Sequence, residues 1–326
     1  MCEPLSDLLA NQYPAWIQGL AARPGVARNF ALFVLGWKYK LIVTAQRLPG
    51  SWLVVLLEAL FRPGRRGVVF LEFMPAPERG PRWRRLVRRV LRRLVMKPAL
   101  RRGMRVGHVL TEWEKNHYAT IYGLPEERFE CLQWPLLRET DRAPVFDRPV
   151  ASRVVSSGRF GCDWETLVRA AQTRNWDLIV VCSRSDLPLV RSLSERVGAT
   201  VVCDISLEEH QKLLESAAVY VISLREDLVS CGQIRVMNAI RAGVPIVATG
   251  IRGLDGYLAD GETALVVNPG DSLAMRGAVE GLLFRPDARR ELATRAFERA
   301  AARTFERYLA DVRSLVLRHL DIAASG

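Results

Sequence analysis

Residues 222–256 read ISLREDLVSCGQIRVMNAIRAGVPIVATGIRGLDG. The stretch opens on a strand-like apolar run that ends at Ser223, and a polar loop follows over 224–232. A helical period then covers 233–242 and stops at Gly243-Val244-Pro245, the sequence signature of a helix end. A second apolar run, 246–249, leads into Gly250, Gly253 and Gly256. Strand, loop, helix and strand in that order form a βαβ unit, the repeating element of a parallel sheet. Ser230-Cys231-Gly232 stands where the helix begins. The first backbone N–H groups of a helix lack partners within it and carry the positive end of its dipole. A small, glycine-containing approach lets a diphosphate reach them. Spacing alone fits an ordinary βαβ unit with glycines at its turns equally well.

The same alternation extends outward in both directions. In the second half, strands are expected at 153–157, 178–182, 200–203, 219–223, 245–249 and 264–267. Helices fall between them over 163–172, 186–197 and 207–217, with Ser206 as a cap and Glu209 three residues on. A long helical stretch runs from 272 to about 320, interrupted near Pro286. In the first half, residues 1–28 read as helix and loop, and strands are expected at 39–46, 67–73, 106–111 and 128–134. Thr111 and Glu114 form a second capping box, and that helix ends near Gly123-Leu124-Pro125. Pro135–Pro149 carries three prolines and reads as a linker. The chain is thus expected to be α/β, with domains over 1–148 and 149–326 and a last helix that crosses back to the first. Ligands of such sheets bind at the carboxyl ends of the strands.

Composition narrows the function classes. Hydrophobic residues make up 49% of the chain and charged residues 25%, which describes a globular protein. The six cysteines are scattered with no CxxC pair, so neither a zinc site nor a disulfide framework is expected. The first twenty residues carry Glu3 and Asp7 and no basic region, unlike a secretory signal. No apolar run reaches the ~20 residues of a membrane span. A cytoplasmic protein is expected. The net charge of +12 is local: 12 Lys and Arg and no acid lie between Arg79 and Arg105, while the rest of the chain is balanced at 35 of each sign.

That basic stretch reads as a helix over 82–97. Trp83, Leu86, Val87, Val90, Leu91, Leu94 and Val95 recur on one face, with arginines around the remainder. Two readings stay open: the apolar face packs on the first domain, or it meets an anionic membrane surface at the cytoplasmic face. Nucleic acid is a weaker third partner, because Trp83 is the one stacking residue on that face.

A resemblance sharpens the reading of the second half. The helix 233–242, the A-x-x-A-G-x-P-I-V-A-T run ending at Thr249, and R-G-L around Gly253 are followed by Asp260-Gly261-Glu262-Thr263-Ala264-Leu265 and Asn268-Pro269-Gly270-Asp271. Upstream stand Ser157-Gly158-Arg159 and Asp163-Trp164-Glu165-Thr166-Leu167. This ordered series, over roughly 154–301, resembles the retaining glycosyltransferase family four, of the GT-B fold. The resemblance implies two Rossmann-like domains facing across a cleft, with a nucleoside diphosphate-sugar as donor and a glycan, lipid-linked or small hydroxyl acceptor. It implies no cofactor and no metal. Arg159 beside Gly158 would contact the donor diphosphate, and Arg suits phosphate through its bidentate fork. Ser230, Cys231, Gly232 and Gln233 would offer backbone N–H groups, with Thr249 and Gly253 completing the pocket.

The chain departs from the family pattern at several positions. The acidic residue that holds the ribose aligns with Asn238, which keeps a hydrogen-bonding group without the charge. The first acidic position aligns with Ser230; Glu226 and Asp227 lie just upstream and are candidates to replace it at the sugar hydroxyls. Gly161, Cys162, Asp163 and Trp164 occupy the region of the family's usual Lys. In the first domain the customary Gly-rich opening is absent, so that domain reads as shortened. Where many relatives place a His after the second strand, this chain has Glu72, a candidate base for the acceptor hydroxyl. His108 and His117 are further candidates. The alternative function is a non-catalytic membrane-bound partner that keeps the fold. A nicotinamide-dependent enzyme fits less well, since no GxGxxG follows an expected strand.

Overall fold

The computed structural model of the 326-residue chain describes residues 26–36, 39–45, 51–61, 67–75, 81–137, 144, 146, 152–173, 176–226 and 230–325. The expected helical opening over 1–25, the turns at 49–50 and 62–66, Asp227 and most of the linker lie outside these residues. The chain divides into two compact units. One comprises the residues up to Leu132 together with those from Leu309 onward; the other is Gln133–Tyr308. The expected boundary lay at 148/149. Two ties draw the start of the linker into the second unit: the Trp134 N–H donates to the Tyr257 hydroxyl at 2.7 Å, and the Leu136 N–H to the Arg303 carbonyl at 2.8 Å.

The second unit is built on six parallel strands: β5 (Arg153–Gly158), β6 (Asp177–Cys182), β7 (Thr200–Cys203), β8 (Val219–Ile222), β9 (Ile246–Thr249) and β10 (Leu265–Val267). They lie in the spatial order β10-β9-β8-β5-β6-β7. Val219–Ile222 and Ile246–Thr249 are buried at every position. A strand covered on both faces carries a continuous apolar run rather than an alternating one, which is why these segments read so plainly. One face packs Val236, Met237, Ala239 and Ile240 of the helix Gln233–Ala242. The other packs Leu167, Val190, Met275 and Leu282 from three further helices. The chain builds outward from β5 through β6 to β7, then returns to β8 on the other side of β5. The strand order therefore reverses between β5 and β8, and at such a switch point the loops leaving the two strands diverge and open a crevice.

Among the described residues the first unit has four parallel strands in sequential order: β1 (Leu41–Ala45), β2 (Gly67–Leu71), β3 (Met104–Val109) and β4 (Phe129–Cys131). Phe73 centres its core, with ring contacts to Trp52, Phe70, Tyr118, Tyr122 and Phe129. β2, β3 and β4 all end before their expected positions, the first two for evident local reasons. β2 stops at Leu71 because Glu72 turns into the left-handed region at φ 50°. β3 stops at Val109 because the buried Glu114 carboxylate takes the next two N–H groups, Leu110 at 2.8 Å and Thr111 at 3.1 Å. Thr111 caps the helix Glu112–Tyr122 in the expected box.

The basic stretch is α-helical over Arg82–Leu91, π-helical over Arg92–Met96 and α-helical again over Lys97–Gly103. Its anchor is the last segment, where Ala99, Leu100 and Gly103 are buried. None of Arg82–Leu91 is buried, and Trp83, Leu86 and Leu94 are 62%, 60% and 68% exposed. Of the two readings of the apolar face, the inward one is therefore not what the described residues show. No helix among them is long and apolar enough to cross a membrane.

Candidate functional site

At the switch point the loops leaving β5 and β8 are stitched together. Cys162 and Leu224 form an antiparallel bridge. The Arg225 N–H donates to the Gly161 carbonyl at 2.8 Å, and the Asp163 N–H to the Ser223 carbonyl at 3.1 Å. The Ser223 hydroxyl returns a bond to the Asp163 carbonyl at 2.9 Å. Asp163 also caps the helix Trp164–Ala170 by accepting from the Thr166 N–H. The two loops thus form one backbone-lined rim.

The second loop enters the helix Gln233–Ala242 through Gly232, whose φ is 99°. A Cβ there would sit 3.0 Å from Leu224 Cδ1 and 3.1 Å from Leu254 Cδ2. Left-handed backbone in a close-packed corner needs glycine. Under this start lies a buried polar support. Gln233 Nε2 donates to the Gly253 carbonyl at 2.6 Å and also to the Ser230 hydroxyl, which itself donates to Gly253 at 3.4 Å. Thr249 Oγ1 accepts from the Leu224 N–H at 2.9 Å and donates to the Ile222 carbonyl at 3.3 Å. The side chains of Ser230, Gln233 and Thr249 are consumed in holding the loop, which fits the expectation that Ser230 and Gln233 would offer backbone N–H groups. What they leave for a ligand is backbone. Cys231 is buried beside them.

Other expected residues stand more openly. Arg159, directly after Gly158, is exposed and has no hydrogen-bond or ion-pair partner among the described residues. Asn238 is half-buried on the second turn of the helix, and its side-chain amide makes no hydrogen bond within the described residues. Glu226 is exposed on the loop after β8 and is likewise unpaired there. All belong to one unit and leave the same end of its sheet.

Arg235 was not singled out by the sequence. It sits in the first turn of the same helix, and its guanidinium crosses to the β5 loop. Nη1 donates to the Ser157 carbonyl at 2.9 Å and to Cys162 Sγ at 3.4 Å, and Nη2 to the Phe160 carbonyl at 3.4 Å. A Cβ at Gly158 would meet Cys162 Sγ at 2.2 Å and Arg235 Nη1 at 2.5 Å. Gly158 is what lets the guanidinium come so close. Burial pushes the Cys162 thiol up, and the neighbouring Arg235 opposes that rise. The one available signal was a cation in a first helical turn, where the dipole favours anions. Behind it, His210 Nε2 lies 2.8 Å from the Ser157 hydroxyl, which also bonds the Tyr220 hydroxyl. Burial, then the Arg241 charge, pulls His210 below its ordinary value, so it is a neutral structural partner.

In the first unit, Glu72 is half-buried at the carboxyl end of β2. Its N–H donates to His108 Nδ1 at 3.1 Å, and His108 Nε2 faces the Leu132 carbonyl at 2.8 Å. The Phe73 N–H donates to the His108 carbonyl at 2.7 Å. One buried imidazole thus fixes the turn that aims Glu72, and His108 is a support for that side chain. Desolvation is the largest influence on it and lowers its pKa. His117 stacks on Trp113 at 4.4 Å on the helix Glu112–Tyr122.

Residues 162–284 match the family described as glycosyl transferases group 1. Sucrose-phosphate synthase from Thermosynechococcus elongatus aligns over 97% of this chain and 81% of its own, at TM-score 0.68 and 20% identity. Anabaena HepE, solved in complex with UDP, aligns over 91% of this chain and 84% of its own, at 0.67 and 13%. A glycosyltransferase from Rickettsia africae aligns over 95% and 83%, at 0.66 and 12%. At such identities the likeness is one of fold. No curated protein matches the sequence.

Proposed function

We propose, from the match of residues 162–284 to the group 1 glycosyl transferases and from the likeness of the fold to solved glycosyltransferases, that this chain moves a sugar from a nucleoside diphosphate to a hydroxyl acceptor. The observation that carries this reading is the stitched rim at the β5/β8 switch point, which leads into a Gly232-capped helix start and carries the exposed Arg159 on its β5 loop. Departure of the diphosphate leaves negative charge on its oxygens. Fixed N–H dipoles and a guanidinium, aimed before the reaction begins, stabilise that charge without reorganisation. Backbone N–H groups around Gly232 and the Arg159 side chain take this role. Asn238 accepts from a ribose hydroxyl, and Glu226 meets the sugar. Glu72 accepts the acceptor's proton. Transfer is retaining and needs no metal, as the family resemblance implies. HepE was solved with UDP, and a uridine donor is the first to test.

The acceptor is a membrane-associated glycan or lipid, which the outward apolar and arginine faces of Arg82–Leu91 support. Each basic residue near an anionic surface contributes about 1 kcal/mol. A thermal-shift series with UDP, GDP, ADP and their sugars tests the donor: one set is expected to raise the midpoint in proportion to occupancy. No shift with any of them removes the donor reading. Co-sedimentation with phosphatidylglycerol vesicles tests the surface, with pelleting expected at low salt and release at high salt. Equal pelleting on neutral vesicles would remove it.

A further inference from the structure

We infer that Arg235 is a second guanidinium for the donor diphosphate, set from the far side of the rim to Arg159; this rests on the donor reading above. Three observations carry it. First, the side chain is only partly committed. A guanidinium has five N–H donors. Ser157, Cys162 and Phe160 take three of those of Arg235, leaving Nε and one Nη2 hydrogen without a partner among the described residues. Second, it has no ion-pair partner there, and the first turn of its helix holds no acid. A half-buried cation at the positive end of a helix is unfavourably placed; the Ser157 and Phe160 carbonyls ease this in part, and a bound anion would ease it further. Third, the surroundings are shaped to admit it. Gly158 provides the gap in which the guanidinium lies, since any side chain there would collide with it. The three contacts that fix the fork go to the end of β5 and the loop after it, so it is held in place before a ligand arrives. A guanidinium oriented in advance loses little entropy on meeting phosphate.

The competing role is purely mechanical: Arg235 would tie the helix start to the β5 loop and never touch a ligand. The two roles differ in which part of the donor feels a substitution. Titration calorimetry of wild type with UDP, GDP and ADP identifies the diphosphate that binds. Arg235→Gln and Arg235→Lys are then titrated with it, and ligand-detected NMR gives the affinity of the matching nucleoside without phosphates. We expect Arg235→Gln to weaken the diphosphate at least ~10-fold and Arg235→Lys to weaken it less, because charge without the planar fork recovers part of the interaction. Nucleoside affinity should stay within a factor of about 2 for both, inside ordinary context variation. Diphosphate and nucleoside weakened equally, or diphosphate affinity unchanged, would overturn the assignment. If Arg235→Gln does not fold by circular dichroism, the Arg235→Lys contrast between diphosphate and nucleoside decides alone. Wild type binding no diphosphate would instead sink the donor reading, and this inference with it.

Discussion

Two turns in this molecule hold backbone at positive φ where a ligand is expected, and they are built in opposite ways. In the second unit the residue is Gly232, at 99°, which carries no side chain and contributes only backbone. In the first unit it is Glu72, at 50°, which keeps a carboxylate in a conformation that costs an L-residue roughly 1–2 kcal/mol. Gly232 is held by packing between Leu224 and Leu254, Glu72 by hydrogen bonds to a buried imidazole. Strain that a surrounding network over-determines tends to mark a side chain whose direction matters. The contrast is between a turn that offers bare backbone and a turn that fixes the direction of a side chain.

Removing the Glu72 carboxylate should have the largest effect. Glu72→Gln is expected to slow sugar transfer by about 10²–10⁴-fold, the usual worth of a positioned acid or base. Glu72→Gly should slow it equally while leaving the fold as stable as wild type, or more stable by up to about 1 kcal/mol, because the left-handed turn is relieved. Transfer assays beside thermal melts separate the two effects. A fully active Glu72→Gln protein would mean that the turn is strained for some other purpose.

Gly232→Ala strikes the opposite design. It adds a Cβ at positive φ against two leucine methyls and should destabilise the second unit by about 1–3 kcal/mol. An unchanged urea midpoint would show the corner to be looser than described. The smallest expected effect is on pH dependence. His108 is held below its ordinary value by burial. As pH falls through about 6.5 the unfolded chain binds a proton that the folded unit refuses, so stability present above that pH declines until the folded pKa is reached. His108→Gln should flatten this acid limb. A limb as steep in the variant would assign it to another group, His210 being the equivalent in the second unit.

The sequence disclosed segments that are governed by their own residues. β8 and β9 were plain because a doubly covered strand must be apolar throughout, and Gly243-Val244-Pro245 stops the intervening helix without help. The end of β2 was hidden, because Glu72 turns under the control of His108, 36 positions away. Arg235 was hidden for the same reason: its acceptors lie up to 78 positions upstream. Periodicity gave the arginine helix an apolar face, yet a period cannot say whether that face finds a partner. The motif residues Ser230, Gln233 and Thr249 were singled out by pattern, but their burial and their hydrogen bonds to the loop could only be seen in three dimensions.

The last helix carries one practical implication. Phe305–Ser325 begins among residues of the second unit, yet Leu315 packs with Val69 and Val106, and Arg318 and His319 both engage Glu130. The first unit is therefore not one stretch of gene. A fragment ending at Leu132 would lack its final wedge and expose an oily patch on β2 and β3. Isolating the first unit calls for splicing 309–326 back onto it, a fusion or permutation rather than a simple truncation.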